Sequence, residues 1–303
     1  MRFAYSLAVA AFAAALLPTA GAPAQKTFRG RPGRIVFNSE RRGNIDLYTM
    51  TAAGKRLRRL TRSRADDEYA AWSPNGKLLA FTRSSAASGD RVYTMSLNGR
   101  GLTPVTPSTI DAVDPTWSPD SRHLAFTIGL SEDRADIVVI DLVTHTQTSL
   151  TNQSLNLDPS WSPDGTRIAF ASNRDDPSGE AYELYVIGAD GSGLTRLTNE
   201  PGVDHGLPNW SPDSSRIAYS ATVAGGTNIY VMNADGTGTK RLTSSGAAIE
   251  PAWSPDGSRI AYSAVPPRRA NPQIYTMKPD GTAKKRITRD RFSDGAPDWQ
   301  PLP

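Results

Sequence analysis

The sequence predicts an all-β protein, a six-bladed β-propeller whose blades are four-stranded antiparallel sheets. A segment with a tryptophan, a Ser-Pro turn and a short apolar run, such as Pro159 to Ser172, recurs along the chain. The apolar runs are rich in Ile, Val, Tyr, Phe and Thr and are separated by Asp-Gly or Asn-Gly turns, which favours strands over helices. All six tryptophans occupy the same place in a copy of the segment, 43 to 49 residues apart: Trp72, Trp117, Trp161, Trp210, Trp253 and Trp299. A repeat of this length is typical of a propeller.

Residues 1 to 24 are predicted to be a signal peptide. Arg2 supplies a positive start, residues 3 to 17 are uncharged and mostly apolar, and Ala22-Pro23-Ala24 offers small residues for cleavage. The alternative is a retained membrane anchor, but the apolar run is shorter than the roughly 20 residues that span a bilayer. We therefore expect a periplasmic or extracellular protein without a transmembrane segment after cleavage, in which residues 25 to 303 form one propeller domain.

Each repeat contains four predicted strands in a fixed order. The first ends in the tryptophan and is followed by the Ser-Pro-Asp-Gly turn and a second strand, such as Arg167 to Ser172. The third strands are Leu47 to Met50, Val92 to Met95, Ile137 to Ile140, Leu184 to Ile187, Ile229 to Met232 and Ile274 to Met277. After a tight turn, the fourth strands end at Thr61, Thr106, Thr151, Thr198, Thr243 and Thr288. Six copies of each predict six blades.

The two ends of the chain complement one another. The N-terminal unit has a second, third and fourth strand but no tryptophan strand, whereas the chain ends with a lone tryptophan strand, Pro297 to Trp299. Pairing this strand with the N-terminal three would close the ring and remove the open sheet edges. The tryptophans are interpreted as packing wedges between blades, beside small alanines at Ala80, Ala125, Ala169, Ala218 and Ala261. The alternative, a stacking platform for sugars or bases, fits six equivalent copies less well.

The amino-acid composition excludes some kinds of binding partner and some kinds of catalytic or metal site. The chain has no cysteine, so disulfides, thiolate catalysis and cysteine zinc sites are excluded. Its net charge of +4 is small for 303 residues, and no basic run is interleaved with aromatic residues. Nucleic acid is therefore not an expected partner. We expect a monomer.

The repeated motif resembles that of a known family. In order along the repeat, the motif reads Trp-Ser-Pro-Asp-Gly, Arg-Ile-Ala-Phe/Tyr, Ile/Leu-Tyr-x-Met/Ile, Asp-Gly and Arg-Leu-Thr. This motif is similar to the WD40-like repeat of TolB-type propellers. The sixth copy has decayed to Trp299-Gln300-Pro301. The resemblance covers essentially all of the mature chain. It implies a periplasmic protein that binds proteins of the cell envelope through its propeller. TolB-type proteins also carry an α/β domain before the propeller, and only about ten residues separate the expected cleavage site from the first strand here.

One side of the disc is predicted to be the binding face. The connections between second and third strands and between blades vary in length and composition, and both emerge on one side, which we call the funnel face. Carboxylates are frequent there, while the opposite turns carry Lys77, Arg122, Arg167, Arg216 and Arg259. The candidate binding residues are Glu68, Tyr69, Asp114, Asp158, His205, Glu250 and Asp294. In the alternative interpretation, the carboxylates only cap turns.

The predicted function is that of a protein-binding module of the cell envelope, which holds an envelope or extracellular protein or peptide. The alternative is an extracellular enzyme or sensor that acts on a glycan or small ligand in the funnel. Catalysis has less support, because no G-x-S-x-G or H-E-x-x-H motif is present and His123, His145 and His205 do not converge on one face. No cofactor is expected, with a calcium ion held by funnel carboxylates and carbonyls as the alternative.

Overall fold

A computed structural model describes residues 30–302 except 177–178, 180 and 268–269. The predicted signal peptide lies outside these residues. The described residues form strands, turns and loops, and no helix among them could cross a membrane.

The strands form six four-stranded antiparallel sheets, which we name blades A to F in ring order. Blade A contains β1 (Arg31–Ser39), β2 (Asp46–Thr51) and β3 (Arg58–Arg59). Blade B contains β4 (Asp66–Trp72), β5 (Leu78–Ser85), β6 (Gly89–Ser96) and β7 (Thr103–Pro104). Blade C contains β8 (Ala112–Trp117), β9 (His123–Ser131), β10 (Arg134–Asp141) and β11 (Gln147–Ser149). Blade D contains β12 (Asn156–Trp161), β13 (Arg167–Ser172), β14 (Glu183–Gly188) and β15 (Thr195–Arg196).

The remaining strands complete the ring. Blade E contains β16 (Asp204–Trp210), β17 (Arg216–Val223), β18 (Gly226–Asn233) and β19 (Lys240–Arg241). Blade F contains β20 (Ala248–Trp253), β21 (Ile260–Ala264), β22 (Gln273–Met277) and β23 (Lys285–Arg286). The last strand, β24 (Asp294–Leu302), pairs with β1 as the innermost strand of blade A, from Arg31 opposite Leu302 to Ser39 opposite Asp294. The six-bladed fold and its closure by the C-terminal strand are confirmed.

The Ser-Pro-Asp-Gly turn holds the first two strands of a blade together through one serine. In blade D, Ser162 Oγ donates to Asp164 Oδ1 at 2.6 Å and accepts from the backbone N–H of Arg167 at 3.0 Å. Gly165 supplies the positive φ of 80° that the turn needs. The same serine bonds recur in the turns after Trp72, Trp117, Trp210 and Trp253. The turn therefore has a structural role, which explains why its sequence is nearly the same in these blades.

The fourth strands are shorter than predicted, with two or three paired residues each. The threonine expected to end each one lies just beyond it and hydrogen-bonds through its side chain. Thr151 Oγ1, for example, accepts from the backbone N–H of Ile137 at 2.9 Å. The equivalent bonds are made by Thr61, Thr106, Thr198, Thr243 and Thr288. A side chain thus continues the ladder where backbone pairing stops.

The core consists of six apolar clusters, one at each junction between neighbouring blades. In each cluster the tryptophan of one blade packs against the second strand of the preceding blade. Trp117 lies in a cluster with Ala80, and Trp161 lies in a cluster with Ala125. All six tryptophans are buried, with 1 to 7% of their surface exposed. The small alanine leaves room for the indole ring of the next blade. The buried tryptophans therefore stabilise the contacts between neighbouring blades of the propeller.

Candidate functional site

The innermost strands of all six blades surround one cavity of about 210 Å³ on the axis of the ring. It extends from residues that begin these strands, such as Asp114 and Glu250, to prolines of the opposite turns, such as Pro163 and Pro255. Because the strands are antiparallel, the second-to-third-strand connections and the inter-blade connections lie together at the end where the innermost strands begin. The cavity therefore reaches the funnel face at the end that Asp114 and Glu250 line.

A β-bulge interrupts each innermost strand three residues before its tryptophan. One residue at each bulge has a positive φ of 45° to 61°, although none of the six is glycine. We call these six residues the inner ring: Tyr69, Asp114, Asp158, Leu207, Glu250 and Ala296. All six line the cavity. The bulge re-aims one side chain per blade, which is a common role of bulges beside functional sites.

The inner ring is strained in every blade. A left-handed conformation costs a residue with a side chain about 1–2 kcal/mol. In five blades the next residue is a proline, which further disfavours helical backbone angles at the residue before it. Strain of this kind persists only where the surrounding structure enforces it, and it clusters at binding sites.

Two inner-ring carboxylates hold the next blade in place. Asp158 Oδ2 accepts from the backbone N–H of Leu207 at 3.1 Å, and Glu250 Oε2 accepts from that of Ala296 at 2.6 Å. Gly206 and Gly295, which precede these two residues, allow this approach, because a Cβ there would lie only 3.2 to 3.3 Å from the carboxylate oxygen. Glu250 also accepts from Ser263 Oγ at 2.5 Å.

Asp114, the third carboxylate of the inner ring, differs from Asp158 and Glu250 in the contacts of its side chain. Its backbone N–H donates to Thr82 Oγ1 at 3.1 Å, but within the described residues its carboxylate has no hydrogen-bond or ion-pair partner. It lines the cavity together with Asp158 and Tyr69. Asp114 is therefore the inner-ring carboxylate most available to a ligand.

The sequence did not predict Leu207 and Ala296 of the inner ring, nor a charged residue of the cavity, Asp298. Asp298 lies directly before Trp299, and its Oδ2 accepts from the backbone N–H of Trp72 in blade B at 2.7 Å. Thr116 and Asn209 make the equivalent bond to the next blade. The signal was present in the sequence, because Asp298 is the one charged residue among the six that precede a tryptophan.

Burial raises the pKa values of the carboxyl groups in and beside the cavity. It raises the pKa of Asp158 to about 6 and that of Asp298 to about 6. Burial and the neighbouring charge of Asp158 raise the pKa of Asp114 well above its usual range. Burial, reinforced by Asp66 and Asp90, raises the pKa of Glu68 to about 7. Desolvation is the first cause in each case, and shifted titratable groups in a cleft are typical of functional sites.

Three of the predicted binding residues, His205, Asp294 and Glu68, do not line the cavity. His205 is 2% exposed, and its Nδ1 lies 3.1 Å from Glu183 Oε2. Asp294 is fully buried and forms an ion pair with Arg41. Both lie two residues before the inner ring, a position where Asp67 is likewise buried and paired with Arg83. Glu68, the residue directly before Tyr69, is half-buried beside the inner ring.

Other funnel-face carboxylates cap the connections of the preceding blade. Asp66 accepts from the backbone N–H of Ile45, Asp111 from that of Asp90, and Asp204 from that of Tyr182. The turn-capping interpretation therefore describes these residues, which all lie three positions before the inner ring. Among the residues that the structure describes, no group of three or more histidine or acidic side chains is arranged to hold a metal ion.

Comparison with known proteins connects this geometry to a family. The family model for the TolB beta propeller domain matches residues 103–246 and 205–302, more than half of the chain. TolB from Acinetobacter baumannii is a similar solved structure, with 22% identity, a TM-score of 0.77, and coverage of 89% of this chain and 67% of that one. A putative TolB from Agrobacterium tumefaciens has 21% identity, a TM-score of 0.68, and coverage of 85% and 88%.

A different protein shares the fold. The oligogalacturonate lyase from Vibrio parahaemolyticus has 14% identity, a TM-score of 0.58, and coverage of 86% of this chain and 76% of that one. At these identities the likeness shows the architecture alone. A search of the curated proteins found no significant match.

Proposed function

Since the chain belongs to the TolB β-propeller family, we propose that it is an exported module of the cell envelope that binds a protein or peptide through its funnel face. Export follows from the predicted signal peptide at residues 1 to 24. The family and the fold support an interaction role, because a propeller presents one rim of variable loops on a rigid scaffold.

The observation that carries the proposal is the inner ring. Structural positions of the repeat keep their residue type from blade to blade, as the tryptophans and the fourth-strand threonines do. The inner ring keeps its strained backbone in all six blades but varies its side chains, with one tyrosine, three carboxylates, one leucine and one alanine. A position with fixed geometry and diverse chemistry is what a binding surface requires.

The chemistry of the ring indicates the kind of ligand. Within the described part of the chain, no cationic side chain pairs with Asp114, Asp158 or Glu250. A cavity of about 210 Å³ has room for one or two side chains and none for a folded segment. The proposed ligand is therefore a peptide or loop that presents a lysine, an arginine or a terminal amine to the axis.

Site-specific photocrosslinking tests this assignment in the native envelope. A photoreactive residue at Ile249, which precedes Glu250 and is 37% exposed, should give a crosslinked protein adduct. The same residue at Val143, which is 71% exposed in a turn on the opposite face, is the matched control. The variant Asp114→Asn/Asp158→Asn/Glu250→Gln should weaken the Ile249 adduct. Equal adducts from both positions, or none from Ile249, would contradict the funnel assignment.

A small ligand is the second candidate, because the cavity is lined by Tyr69, four carboxylates and the six tryptophans. The likeness to an oligogalacturonate lyase makes an oligosaccharide the ligand to test. Calorimetric titration with oligosaccharides, together with an assay for their cleavage, separates the candidates. Saturable binding that the triple variant abolishes, without a protein adduct at Ile249, would replace the peptide proposal by the glycan one.

A further inference from the structure

The outer edge of the propeller is strongly basic at blades F and A. The ten residues that end at the fourth-strand threonine can be compared between blades. In blade A they contain Lys55, Arg56, Arg58 and Arg59 and no acidic residue, and in blade F they contain Lys284, Lys285 and Arg286 and one aspartate. The equivalent residues of blade B contain one arginine, and those of blade C contain no lysine or arginine. The equivalent residues of blade D contain Arg196 and one aspartate, and those of blade E contain Lys240, Arg241 and one aspartate. Among these outer segments, the net positive charge is therefore largest in blade A and next largest in blade F.

Blades F and A are neighbours in the closed ring, so their basic segments adjoin. A Cβ at Gly54 would lie 2.6 Å from the backbone oxygen of Ile287, which shows how closely the blade A turn approaches the blade F edge. We call the joined surface the basic belt, formed by Lys55, Arg56, Arg58, Lys284, Lys285 and Arg289, all of them exposed.

These cations are not neutralised within the protein. Among the residues that the structure describes, no carboxylate forms an ion pair with any member of the basic belt, whereas Arg59 just beside it is paired with Asp46. The unbalanced charge affects a neighbour, because burial together with Arg58 and Arg56 lowers the pKa of Arg34. Like charges held this close without a counter-ion form a surface that attracts anions.

A groove of about 520 Å³ lies between the two halves of the basic belt. Its walls combine cations, such as Lys285 and Arg289, with apolar side chains, such as Leu57 and Ile287. The one carboxylate among the described lining residues, Asp290, forms an ion pair with Arg41. Leu57 is 49% exposed beside the cations. None of the described residues that line the groove is aromatic, so bases would have no stacking surface there.

We propose that the basic belt docks the propeller edge-on to a membrane surface of anionic phospholipids. Headgroup phosphates would pair with the lysines and arginines, and the groove would admit the glycerol region beside Leu57. The basic belt lies on the convex rim of the disc, where it can contact a broad surface such as a membrane. A single strand of nucleic acid would instead be bound along a continuous channel. The site is separate from the inner ring, so a docked propeller would keep its funnel face open to the side.

Vesicle co-sedimentation of the mature protein tests the proposal. We expect binding to vesicles of phosphatidylglycerol and phosphatidylcholine at low salt, little binding to phosphatidylcholine alone, and loss of binding as salt screens the charges. The variant Lys284→Gln/Lys285→Gln should bind about twenty-fold more weakly, because each cation near an anionic surface contributes about a factor of five.

The matched control is Lys77→Gln/Arg100→Gln, which removes two exposed cations from blade B. It should bind as the unaltered protein does, and so should the inner-ring triple variant. Circular dichroism establishes that each variant is folded. Equal loss in both double variants, or no binding to anionic vesicles at low salt, would overturn the proposal. Binding to heparin without binding to vesicles would overturn it in favour of an anionic polymer.

Discussion

Asp114 differs from the other two carboxylates of the inner ring in the contacts of its side chain. Asp158 and Glu250 each accept a backbone N–H of the next blade, so part of their charge is compensated. Asp114 has no such donor among the described residues and faces Asp158 across the cavity wall. A carboxylate in this position destabilises the folded protein whenever it is ionised, and a cationic ligand would remove that cost.

The raised pKa values predict a fall in stability as the pH increases. A carboxyl group whose pKa is higher in the folded state binds more protons there than in the unfolded chain, so the free energy of unfolding decreases between its two pKa values. For Asp158 these are 3.8 and about 6. The variant Asp114→Asn/Asp158→Asn should therefore match the unaltered protein near pH 4 and exceed its stability near pH 8 by about 3 kcal/mol.

Chemical denaturation at several pH values measures this difference. The control is Asp133→Asn, which removes an exposed carboxylate from the hairpin between β9 and β10. The stability of the double variant relative to this control should increase from pH 5 to pH 8. A double variant whose advantage does not grow from pH 5 to pH 8 would show that the cavity carboxylates are not buried as described.

At the scale of the strand, the bulge determines what the innermost strand presents to the axis. It inserts one residue between the funnel-face end of the strand and the tryptophan, so strict alternation of sides fails across it. His205 and Asp294 lie two residues before the inner ring and are held by Glu183 and Arg41, away from the cavity. If side chains simply alternated along the strand, His205 and Asp294 would lie on the same side as the inner-ring residue two positions later. The sequence pattern therefore could not distinguish these two residues from the inner ring.

Replacing an inner-ring alanine by glycine tests the strain at the bulge. Ala296 has a φ of 45°, so Ala296→Gly should relieve about 1 kcal/mol of left-handed strain, which the added freedom of the unfolded chain roughly offsets. Ala71, two positions beyond the inner ring in blade B, has no positive φ. Ala71→Gly should cost about 1 kcal/mol. Equal losses in the two variants, measured by denaturant unfolding, would argue against a strained bulge.

The sequence predicted the blades well because each is specified locally. The tryptophan, the serine of the turn and the fourth-strand threonine recur at fixed offsets, and each makes the same contact in successive blades. Asp114, Asp158 and Glu250 were predicted as binding residues of the funnel face, and each lies three residues before a tryptophan. The left-handed conformation could not be predicted, because a residue before proline prefers extended angles and only the assembled ring enforces another choice.

At the scale of the whole molecule, closure depends on β24. This strand supplies the innermost strand of blade A and Trp299, the wedge between blades F and A. Removing residues 294 to 303 should lower the melting temperature by at least 10 °C, since it exposes the edge of β1 and a core cluster. Removing residues 302 and 303 alone should have little effect. An unchanged melting temperature after the larger deletion would contradict closure as the source of stability.

Closure by the final strand also constrains when the protein can become stable during its biogenesis. Blades B to F can assemble as their residues appear, but β1 must wait for a partner that is synthesised more than 250 residues later. A chain that crosses a membrane unfolded would therefore complete its ring only after release from the translocation channel. Until then the edge of β1 is an unpaired template for other strands, so the risk of wrong strand pairing during folding is a consequence of where this one strand lies.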